Sequence, residues 1–322
     1  MIFGSGGGEV TAIRDRSSQR LLPERSCGII LPGMLDVSVV IVNYNVAPLL
    51  VECLRSVYAS TQVALEVFVV DNCSTDDSVQ RVRSQFPQAH LIETAENRGY
   101  AYANNLALKL ARGEFVVLLN PDTTVPPDGL AQIGAFMRHY PQVGVVGPKL
   151  VRQDGSLDLA CRRSFPTPEV SFYRMLGLSK LFPRSRRFGQ YNLTYLDPDE
   201  LCEVDSVCGA FMMVRRDAME KVGLLDESFF MYGEDLDWAL RFKQMGWRVV
   251  YNPGVVVKHY KGESSKQSKR KTVPEFYRAM QIFYKKHYER DTVAPLHWLI
   301  VSAVQGRLAL ARLQHEWLRR GQ

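Results

Sequence analysis

Three short apolar runs, each ending in a polar side chain, constrain this chain most. They are Val37–Asn43 (VSVVIVN), residues 66–71 (EVFVVD) and residues 114–120 (EFVVLLN). Runs this rich in β-branched residues, with no polar alternation, belong to strands buried on both faces. Helical patterns separate them. Residues 48–60 carry Pro48 near the first turn. Residues 77–86 follow Ser74-Thr75-Asp76, good helix-start chemistry. Residues 99–111 stop at Gly113, and residues 128–140 form a fourth pattern. Shorter strands at 89–92 and 143–147 complete a βαβα order. The fold class expected is α/β, a mostly parallel sheet flanked by helices.

The second half changes character. Asp154-Gly155 marks a hairpin turn. Residues 161–200, rich in Pro and Arg, read as a long loop. A strand is expected over 206–214, a helix over 233–245 closed by Gly246, and strands over 247–250 and 255–257. Two helical patterns, 273–289 and 295–320, form a C-terminal extension. No internal repeat is visible.

Charge is uneven. Residues 260–322 hold 13 Lys/Arg against 5 Asp/Glu, although the whole chain is only +6. Residues 162–187 hold 7 Lys/Arg and one acid. Such patches attract phosphates or anionic lipid when they are not simply solvated surface. Nucleic acid is not expected, because no reader motif accompanies the charge. The six cysteines form no C-x-x-C pair and sit mostly in apolar runs, so reduced thiols and a cytoplasmic location are expected. No run offers about 18 clean apolar residues for a membrane span. The first 35 residues read as a flexible tail with Gly4 to Gly8 as filler.

Ligands of parallel α/β sheets bind at the carboxyl ends of strands. Here those ends carry Asn43 and Asn45, Asp71, and Asp122. One such residue is as well explained by a cap or turn; three together favour a site. There is no G-x-G-x-x-G after the first strand and no G-x-x-x-x-G-K-[ST] anywhere, so no backbone cradle for phosphates is encoded. A divalent cation held by carboxylates is the simple alternative, with Asp122 its natural ligand.

The segments VSVVIVNYN, VVDNCSTDDS, ENRGYAYANN, LLNPDTTV, CGAFMMVRR, LLDESFFMYGEDLDWALRFKQMGW and HYKGES occur in the order found in the family 2 glycosyltransferases of GT-A fold. The chain resembles that family over residues 36–262, and within it the rhamnosyltransferases that use a dTDP-sugar and act on lipid-linked glycans. The resemblance implies a nucleotide-sugar-binding half (36–150), an acceptor-binding and catalytic half (151–262) and a basic helical extension (263–322). It implies an inverting, metal-dependent transfer of a sugar, rhamnose from dTDP-rhamnose, to a hydroxyl of a polyprenyl-diphosphate-linked or cell-envelope glycan.

The roles it implies fall on particular residues. Asp71, with Asn43 and Tyr44, meets the base and ribose. Gly99 and Asn105 match an N-x-G…N pattern on the donor side. Asn120 stands where D-x-D has its first Asp, so Asp122 carries the cation, Mg2+ or Mn2+, with His259 completing the site. Asp235, the second acid of Glu234-Asp235, is the general base; Glu234 is its rival. Both also sit where a helix's first turn favours acids. Arg162 and Arg163 meet phosphate, and Cys208 and Gly209 line the acceptor side. Two readings of the basic C-terminal helices stay open: an interfacial helix on the inner face of the cell membrane, bearing Trp298, Leu299, Trp317 and Leu318, or packing on the catalytic domain or in a homodimer. The competing functions are a nucleotidyltransferase and a non-catalytic sugar- or nucleotide-binding protein. The first would normally carry a Gly-rich loop where this chain has Asn43-Tyr44-Asn45.

Overall fold

The computed structural model describes residues 35–260 and 269–320, with side chains described over 35–260 and 273–309. The N-terminal tail, Cys27, Gly262 and the side chains of Trp317 and Leu318 lie outside the described residues.

A nine-stranded sheet forms the centre, in the order β3-β2-β1-β4-β10-β6-β11-β5, with β8 paired to β11. Strand β1 (Val37–Asn43) lies parallel to β2 (Leu65–Asp71) and to β4 (Phe115–Leu119). Strand β2 is parallel to β3 (His90–Glu93), and β6 (Val143–Val151) to β11 (Arg248–His259). Strand β10 (Phe211–Arg215) runs antiparallel between β4 and β6. Short β5 (Thr123–Thr124) and β8 (Cys202–Glu203) also run antiparallel to β11. Every residue of β1 and β4 is buried, as their unbroken apolar composition requires.

Helices α1 (Ala47–Tyr58), α2 (Ser78–Gln85), α3 (Tyr100–Leu108) and α4 (Gly129–His139) fall where their periodicity places them, within two or three residues at each end. Three expectations need correction. Residues 161–200 are not one long loop. They hold β7 (Arg162–Arg163), α5 (Pro168–Met175) and α6 (Leu178–Leu181). Thr167 caps α5, its hydroxyl accepting from the Val170 N–H at 3.3 Å.

Residues 206–214 are not one strand. β9 (Ser206–Val207) pairs with β7 in a separate two-stranded sheet, and the chain joins the main sheet only at Phe211. The two strands expected near the C-terminal side are one, β11, kinked by a register shift between Asn252 and Val256. The turn at Asp154-Gly155 is present, Gly155 having φ +79°, but it closes a single bridge between Val151 and Leu157 rather than a ladder.

After α7 (Arg216–Val222), helix α8 (Glu234–Gln244) buries Trp238 and Phe242 in the core. Helix α9 (Lys269–His287) packs against the same body: Ala279 and Phe283 belong to the core cluster. Its His287 Nε2 lies 2.7 Å from Asp237 on α8, as does Lys286 Nζ. Helix α10 (Ala294–Arg320) rests on α9, with Tyr284 Oη 3.0 Å from His297 Nδ1. Among the described residues, no helix is long and apolar enough to cross a membrane.

Candidate active site

The strand register collects the polar strand ends along one edge. Asn43 lies opposite Asp71, and Asn43 Nδ2 donates to Asp71 Oδ1 at 2.9 Å. The other oxygen, Oδ2, accepts from the Ser74 N–H at 2.8 Å, so the buried carboxylate also ties down the loop that follows its own strand. Tyr44, immediately after β1, is 42% exposed and offers its ring to solvent at that edge. Because β10 is antiparallel, its start lies at the same end: Phe211 is opposite Leu119, and the Asn120 N–H donates to the Ala210 carbonyl at 3.0 Å.

A second group stands next to these ends. Asp122, Asp158 and His259 are all buried. His259 Nδ1 is 3.0 Å from Asp158 Oδ2, and Nε2 is 3.4 Å from Asp122 Oδ1. β11 delivers the histidine, since His259 is in register with Thr123. Burial opposes the imidazolium, but hydrogen bonds to Asp122 and then Asp158 outweigh it and lift His259 to about 9. Asp158 went unnoticed in the sequence. It lies 101 residues from its partner, and the second aspartate of QDGSLDLAC carries no signal beyond its local cap on Ala160.

The pair fits a divalent cation. Asp158 accepts from Nδ1–H and so turns Nε2 toward the Asp122 carboxylate, the arrangement by which a carboxylate orients a ligating imidazole. A carboxylate suits Mn2+ or Mg2+, and a neutral imidazole nitrogen suits Mn2+ better than Mg2+. Among the described residues no cluster of three or more such side chains holds a metal alone. Diphosphate oxygens and water would complete the coordination, the usual pattern for Mg2+ sites.

The third group surrounds the start of α8. Tyr232 and Gly233 have φ of +69° and +84°, a left-handed pair that turns the chain sharply into the helix. Asp235 Oδ2 accepts from Arg163 Nη2 at 2.6 Å and from the Gly209 N–H at 3.0 Å; Oδ1 accepts from the Leu236 N–H at 2.8 Å. The break between β9 and β10 thus has a cause, because Gly209 leaves the ladder to bond Asp235. A Cβ on Gly209 would sit 3.5 Å from the Asp235 side chain. Glu234, buried beside it, has one oxygen, Oε2, with no hydrogen bond. Burial, and next the Asp235 carboxylate, push Glu234 well above the usual carboxylate range.

Four expected contacts are corrected. The Gly99 N–H donates to Asn97 Oδ1 at 3.0 Å, so it does not face an anion. The glycine is needed because a Cβ would lie 2.4 Å from the Phe230 carbonyl oxygen. Asn105 is not a donor contact either. Its amide bonds the Leu225 carbonyl, the Leu225 N–H and Glu227, tying α3 to that loop. Arg162 does not meet phosphate: it is 2% exposed and donates to the carbonyls of Asp197 and Leu196 at 2.6 and 2.8 Å. Arg163 is instead the partner of Asp235. Cys208 borders the site, its thiol pushed up to about 12 by burial, and is no nucleophile.

Comparison with known proteins shows the family of the chain. Residues 38–223 match the family described as "Glycosyl transferase family 2". The N-acetylglucosaminyl-diphospho-decaprenol L-rhamnosyltransferase of Mycobacterium tuberculosis (strain ATCC 25618 / H37Rv) is 30% identical over 289 residues, covering 86% of this chain and 92% of that protein. Among solved structures, the Pyrobaculum calidifontis mannosyltransferase with GDP-Man and Mn2+ aligns with a TM-score of 0.52 at 22% identity, over 88% of this chain and 74% of that one. GalNAc-T7 with UDP, GalNAc and Mn2+ aligns at 0.55 and 16% identity, over 82% and 52%. The likeness to these two is one of fold. With over half of its length matched by the family model and a relative aligned over nearly the whole chain, this protein belongs to glycosyltransferase family 2.

Proposed function

We propose that this glycosyltransferase transfers a sugar, rhamnose from dTDP-rhamnose, to a hydroxyl of a polyprenyl-diphosphate-linked glycan, with inversion at the anomeric carbon. The observation that carries the reading is the shared edge. Asp71 ends β2, Asp122 follows the end of β4, His259 ends β11, which runs parallel to β6 beside β10, and Asp235 is bonded to Gly209 just ahead of β10. The lipid-linked acceptor draws its support from the activity named for the mycobacterial relative. Residues 36–150 act as the nucleotide-sugar half and residues 151–262 as the acceptor half, working on the cytoplasmic side of the membrane.

In this reading Asp71 accepts from the base or ribose, and Tyr44 supplies a flat apolar face to the base. Asp122 and His259 hold the cation, Mg2+ or Mn2+. Once bound, it offsets negative charge on the departing diphosphate. Asp235 takes the proton of the acceptor hydroxyl as that oxygen bonds to the anomeric carbon and the bond to the diphosphate breaks. Base catalysis of this kind contributes about 10²–10⁴-fold. Arg163 and the Gly209 N–H both grip Oδ2, which fixes the carboxylate and assigns the proton to Oδ1. Glu234, favoured in its protonated form, keeps the neighbouring charge off the site, so the two carboxyls have separate tasks.

The test is release of nucleoside diphosphate from dTDP-rhamnose in the presence of a polyprenyl-diphosphate-linked acceptor, with product configuration read by NMR. Asp235→Asn is expected to lower turnover by at least 10²-fold while nucleoside diphosphate binding stays close to wild type. A variant that keeps most of its rate removes Asp235 from the role, and retention of configuration removes the single displacement.

A further inference from the structure

The excursion between β7 and β9 carries an exposed apolar surface that the transfer chemistry does not use. Helix α5 buries Val170 and Tyr173, three residues apart, and turns the opposite face outward. On that face and in α6, Phe172, Met175, Leu176, Leu181 and Phe182 are all exposed, Leu181 by 69% and Leu176 by 57%. Five large apolar side chains clustered within eleven residues exceed the scattered exposure normal on a soluble surface.

Two further observations narrow the occupant. Residues 168–187 contain Arg174, Lys180, Arg184, Arg186 and Arg187 against Glu169 alone, a net +4, and all five cations are exposed. Apolar side chains interleaved with cations and almost no acid match an anionic lipid surface, where each basic residue near the headgroups adds attraction. The excursion is also rooted at the site. The Ser164 N–H donates to the Tyr191 carbonyl at 2.9 Å, closing the neck one residue from Arg163, the partner of Asp235. The hairpin itself is held in shape by Tyr173 packing edge-on against Phe188 at 5.0 Å and by Arg187 donating to the Tyr173 hydroxyl at 2.6 Å.

We infer that the α5–α6 hairpin is a membrane-docking element that seats the acceptor side of the enzyme on an anionic bilayer. Its purpose, though not its geometry, rests on the lipid-linked acceptor of the proposed function. The surface is separate from α10, which exposes its own apolar residues, Trp298 and Leu299.

The experiment is flotation of the full chain with vesicles of phosphatidylcholine containing phosphatidylglycerol, and with phosphatidylcholine alone. Wild type should float with the anionic vesicles and lose that binding as salt rises. Leu181→Ser with Phe182→Ser should weaken partitioning about tenfold or more, and Arg184→Gln with Arg186→Gln should remove the preference for phosphatidylglycerol. These positions are exposed, so thermal midpoints should match wild type. The inference is overturned if both variants float like wild type, or if only a Trp298→Ser, Leu299→Ser chain loses binding. It is also overturned if wild type ignores vesicles and instead self-associates through this face, the variants eluting as monomers. Transfer to a detergent-solubilised acceptor, measured in parallel, separates the two readings: its loss in wild type defeats the proposed function, whereas unchanged flotation of the variants defeats only the docking element.

Discussion

At the scale of single residues, the buried aspartate that no motif announces, Asp158, sets the chemistry of His259. It is wholly buried, holds Nδ1 at 3.0 Å and leaves Nε2 directed at Asp122. A residue in this position acts through the imidazole, so its loss should appear in cation affinity before anything else. Asp158→Asn is expected to weaken Mn2+ binding about 10–100-fold, measured calorimetrically with nucleoside diphosphate present, while nucleotide binding without metal stays constant. Equal Mn2+ affinity in the variant would reduce Asp158 to a cap of its own turn.

The same scale marks the limit of reading sites from sequence. Asp71 and Asp122 could be singled out as candidates because strand ends are readable and the fold brings those ends together, whereas the roles expected of Asp235 and His259 came only with the family resemblance. Gly99 and Asn105 looked equally purposeful, yet they answer to the Phe230 and Leu225 backbones, neighbours more than a hundred residues away that no local pattern reveals.

At the scale of elements, α8 joins the chemistry to the architecture. Its first turn presents Glu234 and Asp235 to the rim, while Asp237, fully buried two residues on, faces the other way and gathers Arg241, Lys286 and His287. Burial works against the Asp237 anion, but the hydrogen bonds from His287 and Lys286, then the charge of Arg241, outweigh it and hold the group at about 2 against an ordinary 3.8. Because the folded pKa is depressed, the stabilisation is complete above about pH 4 and is lost as pH falls through about 2. Its size is about 2 kcal/mol. Urea unfolding at pH 6 and pH 3 should show the wild-type advantage over Asp237→Asn shrinking as the solution becomes more acid. A constant difference would mean that packing, not charge, fixes this contact. Helix α8 was visible from its acids and its closing Gly246, but its partner was not, since His287 lies 50 residues from Asp237 and no local pattern joins them. Helices α5 and α6 were hidden for a different reason. They are short, and helix propensity over so few residues is weak against a Pro- and Arg-rich composition; the Thr167 cap and Pro168 were the only local signals.

At the scale of the whole molecule, the two C-terminal helices are unlike in kind. The basic charge of residues 260–322 suggested a single extension, on membrane or on protein. Helix α9, however, places Ala279 and Phe283 in the core and Lys286 and His287 on Asp237, while α10 buries only Leu308 among its described side chains. Removing α9 would therefore open a hole in the core and leave the Asp237 carboxylate with Arg241 alone. Losing a buried phenylalanine costs about 3–5 kcal/mol, and breaking a buried ion pair a comparable amount. Removing α10 would expose one face of α9 and little else. A chain ended after residue 292 should keep a thermal midpoint within a few degrees of the full chain, whereas one ended after residue 268 should fall by about 10 °C or more, both followed by circular dichroism. If the shorter chain melts like the longer one, α9 is an appendage, and helix α8 holds its place without it.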